Sequence, residues 1–351
     1  MSKSNASLAA NRPVPERARR PLASVAVPVL RGAVAALSAL AFGTAAAAGA
    51  GDAAPYPSRT IRLVVPQSPG GGDFLPRLLG KRLADAVGQP VVIENRPGVS
   101  YNIASEFVAK APADGYTLLY TGSVVTLLPS VLGPVAVDPV AAFDPVAKLM
   151  ETPLIVVAHR SLGVRTLGEL IELARRKPGQ VAYATTGVGT LPHLVAETIA
   201  QRAGVELLHI PYPNARQLMT DHVAGEVPVY FTFPIAVDAH IRSGLVRPLV
   251  VASRQRIAEL PDVPTVVELG FEDAAVEPWT GVFVPAGTPR PIVDRLNREF
   301  VSMLGEPEIR DAMLKQGMRP VGSTPERLGA DVREAVARWP AVVKAAGIRR
   351  E

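Results

Sequence analysis

Two glycine-rich segments carry the residue types in this chain that best suit the binding of a small anion. They are Ser68-Pro69-Gly70-Gly71-Gly72-Asp73, after the apolar run 63–65, and Thr185-Thr186-Gly187-Val188-Gly189-Thr190, after the apolar run 181–184. A helical pattern follows each segment. Glycine lets the backbone come close to a ligand, and N–H groups in the first turn of a helix have no partner within it. We therefore predict two anion sites at a shared cleft, with Asp73 as the N-cap of the first helix.

Other polar side chains fall where predicted strands end. Thr121 and Ser123 follow the predicted strand 116–120, and ligands of parallel sheets bind at the carboxyl ends of the strands. Tyr212 ends a later strand and is either a wall of the cleft or a core residue. His193, one turn into the second helix, is either a contact for a bound carboxylate or a structural histidine.

Residue patterns for catalysis or metal binding are not found in the sequence. The chain has no cysteine, and its five histidines lack the spacing of a zinc site. The patterns GxSxG, GxxxxGK[ST] and GxGxxG are also absent. We therefore expect no catalytic residue, no metal and no cofactor.

Strands and helices alternate along the chain in the order that is typical of an α/β fold with parallel sheets. The elements predicted first are strand 60–65, a helix ending near residue 87, strand 91–95, a helix from about residue 102 and strand 116–120. The same order recurs from residue 154, and helices over 290–304 and 325–345 close the chain. The repetition predicts two lobes.

The formal charge of +5 belongs to the N-terminal leader. Residues 1–50 contain six of the 37 basic groups and one of the 32 acidic groups, which leaves 31 groups of each sign in the rest of the chain. A domain that binds a polyanion keeps a basic surface in its folded part. We therefore expect no nucleic acid partner.

Residues 1–52 have the composition of a signal peptide and leader. Arginines precede the apolar run 32–42, and a stretch rich in alanine and glycine follows it. We predict export to the periplasm with cleavage near residues 48–54. A permanent membrane anchor is the alternative, because residues 32–50 carry no charge.

Short motifs recur in a fixed order from Tyr56 to the end of the chain. They are Tyr56-Pro57-Ser58, Val64-Val65-Pro66 with Pro69-Gly70-Gly71-Gly72, Gly88-Gln89-Pro90-Val91-Val92 with Glu94-Asn95-Arg96-Pro97-Gly98, Asp114-Gly115-Tyr116-Thr117-Leu118-Leu119, Lys177-Pro178-Gly179-Gln180, His209-Ile210-Pro211-Tyr212, Leu260-Pro261-Asp262-Val263-Pro264-Thr265, Pro285-Ala286-Gly287-Thr288-Pro289, Pro320-Val321-Gly322-Ser323-Thr324-Pro325-Glu326 and Lys344-Ala345-Ala346-Gly347-Ile348. In this set the chain resembles the periplasmic substrate-binding proteins of tripartite tricarboxylate transporters, also called Bug-type receptors.

The resemblance implies a periplasmic binding protein of the Venus-flytrap type, with two doubly wound α/β lobes joined by crossing strands. We expect lobe 1 to comprise residues 56–153 and 279–351, and lobe 2 residues 154–278. The implied function is capture of a small organic carboxylate between the lobes and its delivery to the membrane permease subunits of a tripartite transporter. We expect a monomer. Two alternatives stay open, an exported α/β enzyme acting on a carboxylic acid and a sensor partner that presents its ligand to a signalling receptor.

The residue patterns, together with the resemblance, which implies residues 68–72 and 185–190, give a set of predicted ligand-binding residues. They are Ser68, Pro69, Gly70, Gly71, Gly72, Asp73, Thr121, Ser123, Thr185, Thr186, Gly187, Gly189, Thr190, His193, Tyr212 and Thr232. The chain departs from the family pattern in its first glycine segment, which passes from Gly72 directly to Asp73 and is one residue shorter than usual. Thr232 stands where many relatives have aspartate, which makes amino-acid ligands less expected, and Asn214 replaces a usual glycine.

Overall fold

Two β-sheets with helices on their faces form the part of the chain that the computed structural model describes, which is residues 56–70, 73–98, 101–133, 135–345 and 347–348. The predicted signal peptide, Gly71 and Gly72 lie outside these residues. The prediction of an α/β fold with two sheet-based halves is confirmed. None of the described helices combines the length and the apolar composition that a membrane-spanning helix needs.

The first sheet has the strand order β11-β4-β10-β3-β1-β2. Its strands are β1 (Ile61–Val65), β2 (Val91–Asn95), β3 (Thr117–Gly122), β4 (Phe143–Glu151), β10 (Trp279–Pro285) and β11 (Arg319–Pro320). β1 pairs in parallel with β2 and β3, whereas β10 lies antiparallel between β3 and β4. The sheet is therefore mixed. Leu63, Val64 and Val65 are consecutive buried residues because helices cover both faces of the sheet.

The second sheet has the strand order β7-β6-β8-β5-β9. Its strands are β5 (Ile155–His159), β6 (Ala182–Thr185), β7 (Leu208–Pro211), β8 (Val229–Thr232) and β9 (Val246–Val251). β6 pairs in parallel with β7 and β8, and β5 pairs antiparallel with β8 and β9.

The chain crosses between the sheets twice, and the two crossings are hydrogen-bonded. β4 ends at Glu151 and β5 begins at Ile155, so the first crossing is short. The return leads into β10, and the N–H of Thr152 donates to the carbonyl of Pro278 at 2.9 Å. The predicted crossing strands are therefore present.

The described residues contain ten α-helices. They are α1 (Phe74–Val87), α2 (Asn102–Ala109), α3 (Val124–Val131), α4 (Leu167–Arg176), α5 (Leu191–Ala203), α6 (Ala215–Ala224), α7 (Pro234–Arg242), α8 (Arg290–Leu304), α9 (Pro307–Leu314) and α10 (Pro325–Ala345). The predicted helices 290–304 and 325–345 are confirmed. The sequence analysis missed α3, α7, α9, β4 and β11.

The C-terminal helix α10 packs against the cores of both halves. Leu328 and Val332 contribute to a cluster on the first sheet, whereas Trp339 and Val343 belong to the core of the second half. The indole Nε1 of Trp339 donates to Oγ1 of Thr126 in α3 at 3.1 Å. Because one helix serves both cores, the predicted boundary at residue 279 between the lobes stays a prediction.

Candidate functional site

The carboxyl edges of the two sheets face each other. β1, β2 and β3 end at one edge, where α1, α2 and α3 begin, and β6 and β8 end at the corresponding edge of the second sheet, before α5 and α7. A Cβ added to Gly189, in the loop between β6 and α5, would lie 2.5 Å from Cγ1 of Val131 in α3. A Cβ on Gly317, close to the end of β4, would lie 2.7 Å from Cβ of Ile235 in α7. These two contacts bring the edges together.

The first glycine segment leads into α1 as predicted, but Asp73 does not cap the helix with its side chain. Asp73 is buried, its Oδ1 accepts a hydrogen bond from the N–H of Gly70 at 2.9 Å, and its Oδ2 accepts one from Nε of Arg77 at 2.7 Å. The hydrogen bond from Arg77 holds the pKa of this carboxyl below its usual value. The prediction that Asp73 is the N-cap residue of α1 is confirmed, but its side-chain oxygens accept hydrogen bonds from Gly70 and Arg77 and none from the first turn of the helix. The first-turn N–H groups of α1 are therefore not taken up by a side-chain cap.

Thr121 and Ser123 lie at the end of β3, as predicted. Thr121 is 2% exposed, and its Oγ1 has no hydrogen-bond partner among the described residues. The N–H of Ser123 donates to the carbonyl of Trp279 at 2.8 Å, and the Ser123 hydroxyl does not cap α3. Buried hydroxyl groups in native proteins nearly always have a partner. Thr121 thus presents an unsatisfied polar atom near the predicted site.

The second glycine segment is held in shape by its own hydrogen bonds. The N–H of Gly187 donates to Oγ1 of Thr185, and the hydroxyl of Thr190 donates to the carbonyl of Gly187 at 2.8 Å. Gly187 has φ +135° and Gly189 has φ +71°, so both positions favour glycine. The structure brings Thr185, Gly187, Gly189 and Thr190 together, and the neighbouring Thr186 is exposed.

Two stacked histidines hydrogen-bond to residues of this segment. His193 and His209 have ring centroids 3.9 Å apart and ring planes 13° from parallel. Nδ1 of His193 accepts a hydrogen bond from the N–H of Gly189 at 2.9 Å, and Nε2 of His209 lies 2.7 Å from Oγ1 of Thr185. Burial lowers the pKa of both imidazoles to about 4, and for His193 the neighbouring His209 adds to the shift. Both histidines are therefore neutral near pH 7.

His193 is also close to Glu197, since its Nε2 lies 3.9 Å from Oε1 of that side chain. Because Nδ1 accepts a hydrogen bond, the neutral ring must carry its proton on Nε2. The ring is 6% exposed, and protein groups face both nitrogens. Of the two roles considered for His193, the geometry favours the structural one, in which the ring holds the loop.

Acid should destabilise the protein through the histidine pair. In the unfolded chain each imidazole takes up a proton near pH 6.5, whereas in the folded chain it does so only near pH 4. Between these values the unfolded state binds more protons, so the free energy of unfolding should fall as the pH is lowered from 6.5 to 4. Urea unfolding at several pH values measures this slope. His193→Gln keeps a hydrogen-bond acceptor that does not titrate, so this variant should show a flatter slope than the wild type. His240→Gln is the control and should keep the wild-type slope. Equal slopes in the wild type and both variants would contradict this account.

Tyr212 and Thr232 are buried beside the second segment. The hydroxyl of Tyr212 donates to Asp221 at 2.9 Å, and burial together with Asp221 raises the pKa of Tyr212 to about 12. Its N–H donates to the carbonyl of Thr185. Tyr212 is therefore a core residue that positions Thr185. Thr232 is the last residue of β8 and is 2% exposed.

A residue that the sequence analysis missed at the first edge is Tyr101, which precedes α2. Among the described residues it is the one non-glycine with positive φ, at +68°. Its hydroxyl accepts a hydrogen bond from Nε2 of Gln67 at 3.3 Å. Strained backbone is common at ligand sites, but no sequence pattern marks a tyrosine for this conformation.

A second missed feature is a cavity of about 150 Å³ beside the crossing strands. The residues that line it include Lys148, Trp279, Asp331 and Trp339. Ser123 also lines it, and it is the one member of the predicted site, among the described residues, that does so. Nζ of Lys148 lies 2.8 Å from Glu151 and 2.6 Å from Asp331. Lys148 is 5% exposed. The cavity wall thus contains a buried cation that two carboxylates neutralise.

Comparison with known proteins identifies the relatives of this chain. The sequence profile described as "Tripartite tricarboxylate transporter family receptor" matches residues 75–348. Protein BugT of Bordetella pertussis is 36% identical over 312 residues, which are 86% of this chain and 94% of BugT.

Solved structures with the same fold include three similar proteins. Rpa4515 of R. palustris with adipate has 33% identity and a TM-score of 0.70, and the match covers 83% of this chain and 98% of that one. The periplasmic binding protein BugD has 30% identity and a TM-score of 0.68, with coverage of 84% and 100%. MatC (Rpa3494) from Rhodopseudomonas palustris with bound malate has 30% identity and a TM-score of 0.67, with coverage of 82% and 100%. The predicted binding-protein fold is confirmed, and the chain belongs to the family of tripartite tricarboxylate transporter receptors, whose members are periplasmic solute-binding proteins.

Proposed function

We propose that this chain is a periplasmic receptor that binds a small organic carboxylate between the two facing sheet edges. The observation that carries the proposal is the set of helix starts at these edges. None of the described side chains caps the first turn of α1, α3 or α5, so their positive ends are available to an anion. The adipate and malate bound by the relatives Rpa4515 and MatC are both carboxylates, which supports the same ligand class here.

The proposed binding residues divide into donors and supports. The donors are the backbone and hydroxyls of 68–73 and 185–190, with Thr121 and Ser123 at the end of β3. The unsatisfied hydroxyl of Thr121 fits this role, because a ligand oxygen would give it a partner. His193, Tyr212 and Thr232 act as supports, because their side chains are buried and His193 and Tyr212 hydrogen-bond to residues of the second segment or to its neighbours.

Recognition does not require an arginine clamp in this arrangement. Arg77, the arginine nearest the first segment, lies 2.6 Å from the carboxylate of Asp73 and is already neutralised. Helix ends, hydroxyl groups and bridging water can bind a carboxylate without it. Such a site accepts different carbon skeletons, which suits a family of receptors for different acids.

A carboxylate should raise the melting temperature of the purified chain, whereas its neutral amide should not. Native mass spectrometry and thermal shift with malate, adipate, citrate and benzoate, each beside its amide, test this. Equal stabilisation by the amides would contradict carboxylate recognition. Recovery of the ligand unchanged after long incubation distinguishes a receptor from an enzyme, and we propose that the chain has no catalytic activity.

Gly187→Ala should weaken carboxylate binding by about tenfold or more, because φ +135° disfavours a side chain and the segment would shift. Calorimetric titration measures the loss. Gly204→Ala is the matched control, since Gly204 ends the same helix α5 with φ +62° and has no atom within 4 Å of an added Cβ. Gly204→Ala should lose about 1–2 kcal/mol of stability and Gly187→Ala about 1–3 kcal/mol. Equal affinities in the two variants would remove the second segment from the site.

We further propose that the leader 1–52 is cleaved near residues 48–54 and that the exported monomer delivers its ligand to the membrane subunits of a tripartite transporter. The family to which the chain belongs supports this pairing. N-terminal sequencing of protein recovered from the periplasm tests the cleavage, and light scattering tests the monomer. Loss of carboxylate uptake on deletion of the gene, restored by the wild-type chain, tests delivery.

A further inference from the structure

Large apolar side chains remain exposed at the two facing edges. They are Phe74 (42% exposed), Ile103 (51%), Val124 (37%), Val188 (59%) and Ile235 (50%). Each lies within the first two residues of α1, α2, α3 or α7, or in the loop before α5. Single exposed apolar residues are ordinary on protein surfaces, but a group at one place marks a site of interaction.

The positions of these side chains are unusual for helix starts. Polar residues are preferred in the first turn and before it, because they satisfy the free N–H groups. Here the first turns of α1, α2, α3 and α7 carry exposed hydrocarbon instead, and none of the described side chains caps them. The starts of α1, α2 and α3 therefore offer backbone N–H donors and apolar surface side by side, whereas at α7 Pro234 has no N–H and the N–H of Ala236 donates to the carbonyl of Phe233. That combination matches a ligand with an anionic end and an apolar body.

Contacts across the edges place two of these side chains at the space between the sheets. Val188 is next to Gly189, whose added Cβ would meet Val131 of α3. Ile235 lies against Gly317, at the end of the first sheet where β4 also ends. Both residues belong to the second half, Val188 in the loop before α5 and Ile235 in α7, and each lies at or next to a contact with the first half.

At the first edge, the charged side chains that the structure describes already pair with each other and leave few partners for further oxygen atoms of a ligand. The carboxylate of Asp73 pairs with Arg77, and Glu94 pairs with Arg96. A ligand with many hydroxyl or carboxyl groups would leave some of them without partners, and that loss is costly in a closed cleft.

We infer that the ligand is a carboxylate with a hydrocarbon body, aliphatic or aromatic, and that Val188 and Ile235 select against hydroxylated acids of equal length. This inference rests on the proposed carboxylate function and narrows its ligand class. The side chains contact the body of the ligand while the helix starts hold its carboxylate.

A matched pair of acids tests the inference. Adipate and galactarate have the same chain length and charge, but galactarate carries a hydroxyl on every inner carbon. Calorimetry with the purified chain should show that adipate or 3-phenylpropionate binds at least about tenfold more tightly than galactarate. Equal or tighter binding of galactarate overturns the inference and leaves carboxylate recognition intact. If no acid binds more tightly than adipamide, the proposed function fails, and the inference fails with it.

Two substitutions test whether Val188 and Ile235 cause the preference for an acid with a hydrocarbon body. Val188→Thr and Ile235→Thr replace hydrocarbon by a hydroxyl at exposed positions, so the fold should be unaffected. Each should weaken binding of the preferred acid by about fourfold or more, since each removes at least one methyl group from contact with the ligand, and neither should weaken galactarate binding. Val301→Thr is the control, because Val301 is 38% exposed on α8, away from both edges. Unchanged affinity for the preferred acid in both edge variants contradicts the assignment of these residues.

Discussion

Lys148→Met should lower the free energy of unfolding by about 3–5 kcal/mol, since the ion pair with Glu151 is lost and Asp331 keeps only its contact with the exposed Arg327. Lys148 is 5% exposed and lies within 3 Å of both Glu151 and Asp331, whose side chains are 16% and 11% exposed. Methionine fills a similar volume but cannot neutralise either carboxylate. Urea unfolding followed by circular dichroism measures the loss.

The double variant Lys148→Met, Asp331→Asn should recover part of that loss, because one of the two carboxylates is then neutral. Arg327 also contacts Asp331 at 3.0 Å, so Asp331→Asn alone should be destabilising. The two substitutions should therefore be non-additive, as expected for groups in contact. Additive losses, or a Lys148→Met variant as stable as the wild type, would show that the ion cluster does not hold α10 against β4.

Gly189→Ala should both destabilise the protein and weaken carboxylate binding. The position has φ +71°, which costs a side chain about 1–2 kcal/mol, and the added Cβ would lie 2.5 Å from Cγ1 of Val131. Overpacking adds about 1–3 kcal/mol. The shift needed to relieve the clash would pull the N–H of Gly189 away from His193. We expect a loss of about 2–4 kcal/mol in unfolding free energy and of about a hundredfold in affinity, by urea unfolding and calorimetry.

Combining Gly189→Ala with Val131→Ala distinguishes the steric clash with Val131 from the backbone strain at position 189. Shortening Val131 removes the atoms nearest the new Cβ, so the double variant should be more stable than the sum of the single changes predicts. The strain at φ +71° should remain, and Gly204→Ala, at φ +62° in open space, gives its size. If Val131→Ala brings no recovery, the contact between the second segment and α3 is not close.

The sequence predicted the elements and the loops well, because local patterns determine them. The apolar run before Gly70 and the triglycine predicted β1 and the start of α1, and the Pro325-Glu326 start predicted α10. The role of Asp73 was not predictable to the same degree. The N–H groups of the helix, the N–H of Gly70 and the side chain of Arg77 can all donate to the carboxylate of Asp73. Which of them do so depends on where the folded chain places these groups.

Long-range features were not predictable at all. Lys148 meets Asp331 only because α10 returns to β4, and no local pattern joins positions so far apart. The stacking of His193 on His209 depends on α5 lying beside β7. The positive φ of Tyr101 has no signal in residue type, because this conformation usually indicates glycine or asparagine. The spacing of apolar residues predicts which face of a helix or strand is buried. It does not predict which other element covers that face.

The helix α10 has a consequence for the cooperativity of unfolding, because it contributes Leu328 and Val332 to a cluster on the first sheet and Trp339 and Val343 to the core of the second half. Loss of this helix exposes apolar surface of both halves at once, so neither half keeps a complete core without it. We therefore expect the two halves to unfold in one cooperative transition and not in two separate ones.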